Sequence, residues 1–167
     1  NAVQGQDGND IMYGGDGDDD EMMGGYGNDV IYGGAGNDGE NAGGPGNDVL
    51  YGQSGREILS GDAGDDRIYG GLDDDYGLGG EGNDYIEGNE GNDKLYGHVG
   101  ADVIYGGSGD DKLYHWNFHE LIEEIDPLSS DGFKDILDCG DGNDEAWVNV
   151  GTDHDTAINC EIVQRSD

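Results

Sequence analysis

Gly24–Tyr32 reads GGYGNDVIY, Gly43–Tyr51 reads GGPGNDVLY and Gly106–Tyr114 reads GGSGDDKLY. Numbered one to nine, the unit carries Gly at positions one, two and four, Asn or Asp at five, Asp at six and an apolar residue at eight. Twelve copies tile the chain outward from these, starting at Gly5, Gly14, Gly24, Gly33, Gly43, Gly52, Gly61, Gly70, Gly79, Gly88, Gly97 and Gly106. The first six residues supply Gly where the backbone needs positive φ or close approach, and Asn or Asp where side chains satisfy turn amides. The last three alternate outward, inward, outward, the period of a strand. One unit is thus a tight turn and a three-residue strand, whose single apolar side chain is buried only by stacking on further copies. Two units per coil predict an 18-residue coil, with strands on two opposite faces and turns in two columns along the edges.

Composition alone points elsewhere. The chain has 40 Asp+Glu against 6 Lys+Arg, a net charge of -34, and 36 Gly among 167 residues. So few large apolar residues with so much charge is the signature of disorder, and only the periodicity argues for a fold. The charge excludes nucleic acid and anionic membrane surfaces, which need Lys and Arg. No apolar run is long enough to insert in a membrane. No basic start followed by an apolar stretch marks a signal peptide, so the sequence reads as a mature form or an excised piece. Asn1–Gln4 resembles the end of an earlier copy, with Val3 at the apolar position.

The repeat resembles the calcium-binding nonapeptide GGxGxDxUx of the RTX family, over about two-thirds of the chain. That resemblance implies an all-β fold, a right-handed parallel β-roll, in a secreted or cell-surface bacterial protein. It also implies Ca²⁺ held between turns one coil apart, by position-six carboxylates and by carbonyls of the glycine-rich turn. Electrostatics point the same way. Turns in one column lie about 4.8 Å apart, where two bare carboxylates repel by roughly 0.9 kcal/mol in water and about 3.5 kcal/mol at an effective dielectric near 20. Ca²⁺ is a hard cation that takes 6–8 oxygens, so its binding free energy becomes folding free energy.

The odd-numbered copies carry Asp10, Asp29, Asp48, Asp66, Asp84 and Asp102 at position six, with Met12, Ile31, Leu50, Ile68, Ile86 and Ile104 facing inward. This column is expected to be continuous. The even copies are irregular. Those at Gly14 and Gly33 have ten residues, with Asp19 and Asp38 as ligand candidates; the first crowds Asp18, Asp19 and Asp20 together, and the second puts Glu40 or Asn41 where an apolar residue belongs. The copy at Gly52 replaces Asp by Glu57, with Arg56 beside it as a possible stand-in for a cation. That at Gly70 has Asp73 in place of the fourth Gly, Asp75 at position six and Gly77 facing inward. Only the copies with Asp93 and Asp111 are intact. The even column is therefore expected to hold fewer ions, within a total of about 6–10.

Outward positions of the odd strands form a Tyr and Val stripe, including Tyr13, Tyr32, Tyr51, Tyr69 and Tyr105, whereas the even face is mixed. Stacked Tyr and Val favour strands in their own right. A contiguous apolar patch also marks interfaces, here for a neighbouring domain, a second copy or a glycan. Position three has no Thr, which argues against an ice-binding rank.

The repeat stops after Tyr114, dividing the chain into a roll at 1–114 and a capping region at 115–167. Asn117 as cap, Glu120 three residues on, and Phe118, Leu121, Ile122 and Ile125 predict a short helix ended by Pro127. His115 and His119 are four apart but lack a third ligand, and His119-Glu120-Leu121-Ile122-Glu123 lacks the second His of a zinc-protease motif. Cys139-Gly-Asp-Gly-Asn-Asp144 is a further turn with Cys in place of the first Gly; its Asp144 is another ligand candidate. Cys139 and Cys160 read as a disulfide. These cysteines depart from the habit of the family's secreted toxins and favour export through an oxidising route. No Ser/His/Asp or Cys/His grouping supports an enzyme. The expected function is an extracellular calcium-binding module that folds on Ca²⁺ and stabilises a larger protein, including a domain upstream of Asn1. The alternative is an adhesive or glycan-recognition module using the Tyr face.

Overall fold

The computed structural model describes residues 2–115, 133–149 and 155–166. It is an all-β parallel solenoid built from two sheets. One sheet contains, in spatial order, β1 (Val3–Asp7), β3 (Met22–Tyr26), β5 (Glu40–Pro45), β7 (Ile58–Ala63), β9 (Tyr76–Glu81), β11 (Lys94–Val99), β13 (Lys112–Tyr114), β15 (Glu145–Asn149) and β17 (Ile162–Ser166). The other contains β2 (Ile11–Asp16), β4 (Val30–Ala35), β6 (Val49–Ser54), β8 (Arg67–Leu72), β10 (Tyr85–Glu90), β12 (Val103–Ser108), β14 (Ile136–Asp141) and β16 (Thr156–Ile158). Every pairing is between parallel strands one coil apart, as two units per coil require.

The strands are longer than the expected three residues. A typical strand has six and runs on through positions one to three of the next copy, so the turn shrinks to positions four to six. The cause is backbone pairing: Tyr32 aligns with Tyr51, then Gly34 with Gln53 and Ala35 with Ser54. Position one drops out of that register, which leaves its carbonyl for another use. Position two must be left-handed, and a Cβ on Gly34, at φ 120°, would overlap the Gly15 carbonyl. Gly there permits the close stacking of coils.

The core is a double row of inward side chains. Met12, Ile31, Leu50, Ile68, Ile86, Ile104 and Leu137 come from one sheet, and Met22, Leu59, Leu95, Leu113 and Ala146 from the other. Two positions depart from this pattern. Asn41 is fully buried with neither amide atom bonded. At Gly77 the neighbouring Leu95 and Ile86 lean in, within 3.0 and 3.3 Å of where a Cβ would stand. The two ten-residue copies are adjacent coils of one column, and their extra residues lie together: Gly39 N donates to Asp19 O at 2.9 Å, and a Cβ on Gly39 would overlap Asp20 O.

Both sheets continue beyond Tyr114. Ile104 aligns with Leu137 and Leu113 with Ala146, although 33 residues separate each pair. Cys139 and Cys160 form the expected disulfide, with Cα atoms 5.2 Å apart. The expected helix at 117–127 lies outside the described residues, as does His119; no helix occurs among the described residues. None of them forms a helix long and apolar enough to cross a membrane.

Candidate metal centre

Position six builds two ladders of carboxylates. In the odd column the backbone N of Asp10 donates to Asp29 Oδ1, Asp29 to Asp48 and Asp48 to Asp66, each at 2.7 Å. Asp66 donates to Asp84 and Asp84 to Asp102, both at 2.9 Å, and Asp102 to Asp135 at 2.8 Å. The even column repeats this from Asp19 to Asp38 at 3.0 Å and from Asp75 through Asp93 and Asp111 to Asp144, each at 2.8 Å. Asn and Asp at position five run the opposite way, with Asn28 N donating to Asn9 Oδ1 at 2.9 Å and Asn47 N to Asn28 Oδ1 at 3.0 Å. Opposed ladders lock each turn to both neighbours.

One oxygen per carboxylate is thereby used, and the other is not. Oδ2 of Asp10, Asp19, Asp29, Asp38, Asp48, Asp66, Asp75, Asp84, Asp93, Asp111 and Asp144 is buried without a hydrogen-bond partner. A buried, unsatisfied polar atom costs about 1–3 kcal/mol, and more when charged. So many in phase demand a partner that the polypeptide does not supply. All but Asp144, whose position-one residue is Cys139, face a small cradle at a position-one glycine. A Cβ on Gly24 would fall on Asp29 Oδ2 and on the carbonyl of Gly43, one coil further; Gly61, Gly79, Gly88 and Gly106 repeat the pattern with Asp66, Asp84, Asp93 and Asp111. A carboxylate oxygen and the carbonyl left out of the strand register thus converge where no side chain fits.

Burial raises six of the carboxyls, opposed by the amide hydrogen bond, with acidic neighbours adding to the rise. Asp48, Asp84 and Asp93 reach about 6, Asp111 about 7, and Asp66 and Asp75 about 8. Among the described residues no three His, Cys, Asp or Glu side chains converge on one point. The donor set is therefore carboxylate plus carbonyl oxygen, which suits a hard cation such as Ca²⁺ and neither a thiolate nor an imidazole metal.

The even column keeps a position-six acid in every coil, but its ladder of hydrogen bonds is interrupted between Asp38 and Glu57. Glu57 takes the position-six place with both carboxylate oxygens buried and unpartnered; its backbone N donates to Asp75 Oδ1 at 3.0 Å, and burial raises its carboxyl to about 7. Arg56 is exposed and acts electrostatically on Asp74, outside the buried column. Asp135, Asp155 and Glu161 also occupy ladder positions: Asp135 N donates to Asp155 Oδ1 at 3.1 Å and Asp144 N to Glu161 Oε2 at 2.8 Å. The sequence reading missed these three because the 33-residue step broke the count. The signal was present in Asp135-Ile-Leu-Asp-Cys-Gly140, which repeats positions six to two.

The outer faces differ from expectation in one respect. Tyr13, Tyr32, Tyr51 and Tyr69 do stack along the odd face, with centroids 4.9–5.0 Å apart. The even face carries a ladder as well, in which Tyr96, Tyr114 and Trp147 stack at 4.5 Å.

A parallel solenoid with ranks of unpartnered carboxylate and carbonyl oxygens along its turns defines the class of ion-dependent repeat proteins. The model of the RTX calcium-binding nonapeptide repeat matches this chain in four copies, at residues 1–20, 18–39, 42–77 and 78–113, and the chain belongs to that family. No curated protein matches it. Repeats of this family bind calcium, and the oxygen-only cradles fit that ion.

Proposed function

We propose that the chain is an extracellular module that folds when Ca²⁺ enters its cradles and thereby stabilises the larger secreted or cell-surface protein to which it belongs. Its role is structural rather than catalytic. The observation that carries the reading is the rank of buried Oδ2 atoms without partners, each beside a position-one carbonyl. Asp10, Asp29, Asp48, Asp66, Asp84 and Asp102 would supply one column, and Asp19, Asp38, Glu57, Asp75, Asp93 and Asp111 the other. Residues 1–114 then form the ion-binding segment and 115–167 the closing one. At cytoplasmic calcium the carboxylates repel and the chain stays unfolded; at millimolar calcium outside the cell it winds into the roll. Far-UV circular dichroism with calcium counted by mass spectrometry tests this. A chelated chain that keeps its β signal at neutral pH sinks it.

One observation favours recognition as a second role. A groove of about 920 Å³ on the odd face is lined by Tyr51, Tyr69, Tyr85, Tyr105, Gln53 and Asn89. It opens where Glu87 interrupts the Tyr rank and Tyr85 tilts across the gap, 48° to Tyr69. Aromatic edges with neutral amides suit a glycan. A glycan array on the calcium-loaded chain, compared with Tyr85→Ala, should show binding that the variant loses; an array with no hits removes this role.

A further inference from the structure

The position-one cradle is empty of side chains because the residue there is Gly, and in each column that rule first breaks in the coil after the last glycine turn. Tyr105 aligns with Asp138, and Gly107 with Gly140, so Cys139 stands one coil beyond Gly106 at position one. Tyr96 aligns with Tyr114, so His115 stands in the same place beyond Gly97. A Cβ at Gly106 would overlap Asp111 Oδ2 and the Cys139 carbonyl. Cys139 has such a Cβ, and it is fully buried, as is His115.

We infer that the chain ends both calcium columns itself, by filling the first cradle beyond the glycine turns of each with a side chain that fastens the coils in the ion's place. This rests on the calcium reading above. In one column Cys139 plugs the cradle of Asp144, and its disulfide to Cys160 ties the coil to the next. In the other, His115 plugs the cradle that Asp135 would serve. Its Nδ1 lies 2.9 Å from the Trp147 carbonyl, which can only accept, so the hydrogen sits on Nδ1; the same atom is 3.6 Å from Asp155 Oδ2. Both groups reach one coil onward, as a shared cation would. The Cys139 carbonyl still faces Asp111, so the cradle before the plug stays open to an ion. Asp144 keeps the buried, unbonded Oδ2 of its column, yet the space beside it holds a Cβ. It completes the ladder by accepting from Asp111 N and is not a calcium ligand.

Crystals of the calcium-loaded chain, with anomalous scattering, give the first test. Ions are expected beside Asp93 and Asp111, and none within coordination distance of Asp144 or Asp135. Calcium per chain by mass spectrometry gives the second. Cys139→Gly with Cys160→Ser should bind one more ion than the parent, and adding Asp144→Asn should remove it. Cys139→Ser with Cys160→Ser loses the same bond but leaves the cradle filled, so it should gain none. An ion at Asp144 in the parent overturns the inference, as does a folded Cys139→Gly/Cys160→Ser chain with no ion gained. Should that variant fail to fold, the parent's anomalous map decides alone. A chain with no ions in any cradle overturns the calcium reading instead.

Discussion

The coils from Gly5 to Tyr114 and those from Ile136 to Ser166 share the same two sheets but are fastened by different chemistry. In the first region the turns are built mainly from Gly, Asn and Asp, and successive turns meet through carboxylates that the polypeptide leaves half-satisfied. In the second, a disulfide, a buried imidazole and the Tyr114–Trp147 stack replace most of that. The sheets are indifferent to the change, since Ile104 still sits beside Leu137 and Leu113 beside Ala146. Strand pairing and the inward row therefore specify the path of the chain. The turns decide under which conditions that path is stable, ionic in one region and covalent in the other.

Calcium removal is the strongest way to break the comparison. At neutral pH a chelator should abolish the β signal of the repeat region, with recovery on adding Ca²⁺. Hydrogen exchange should show the longest-lived protection around the Cys139–Cys160 link, the covalent fastener, which a chelator cannot reach. Uniform loss of protection across both regions would mean that the closing coils have no stability of their own.

Acid should partly replace the metal. Without calcium, Asp48, Asp84 and Asp93 rise from an ordinary 3.8 to about 6, and Asp66 and Asp75 to about 8, because burial opposes their charge. A folded value above the unfolded one means the folded state holds more protons between the two. Its contribution is complete below about pH 4 and is lost as pH climbs through 6 to 8. The chelated chain should therefore regain structure near pH 4 and lose it toward pH 8. The calcium-loaded chain should move the other way, since protons displace the ions. Thermal melts from pH 4 to 8, with and without chelator, read both limbs; parallel limbs would refute the idea.

Reduction touches only the second region. The disulfide closes 21 residues, and its loss should cost about 3 kcal/mol in the calcium-loaded chain. The Cys139→Ser/Cys160→Ser variant should melt several degrees lower with its calcium count unchanged. A lower count would show that the link organises ion sites further up the column.

What the sequence showed and hid divides along the same line. Within the repeat, phase alone placed Ile31, Leu50, Ile68, Ile86 and Ile104 inward and Asp29, Asp48, Asp66 and Asp84 in the turn, because each copy faces the same environment. The length of the strands was hidden. Gly34 and Ala35 look like turn residues, yet their backbones belong to the ladder, and composition does not report backbone pairing. Asp135, Asp155 and Glu161 were hidden for another reason: a long excursion reset the count, and only the register across 33 residues restores it. Arg56 sits next to Glu57 in sequence, but in the turn the position-five side chain is exposed and the position-six side chain is buried.

The smallest expected effect sharpens the claim that the inward row is indifferent to how the turns are fastened. Asn41 lies between Met22 and Leu59 in that row, buried, with both amide atoms unbonded. A buried amide left unpaired costs about 1–3 kcal/mol, and an aliphatic residue at this position continues the row on either side. Asn41→Leu should therefore raise stability by about 1–2 kcal/mol, a few degrees in a melt. The gain should be equal in the calcium-loaded chain at neutral pH and in the chelated chain folded at acid pH, because Asn41 presents its Nδ2 and not an oxygen ligand to the Gly33 cradle, 3.4 Å from where a Cβ would stand. A gain confined to the calcium-loaded form would couple the core to the metal columns, and the two layers would no longer be separable.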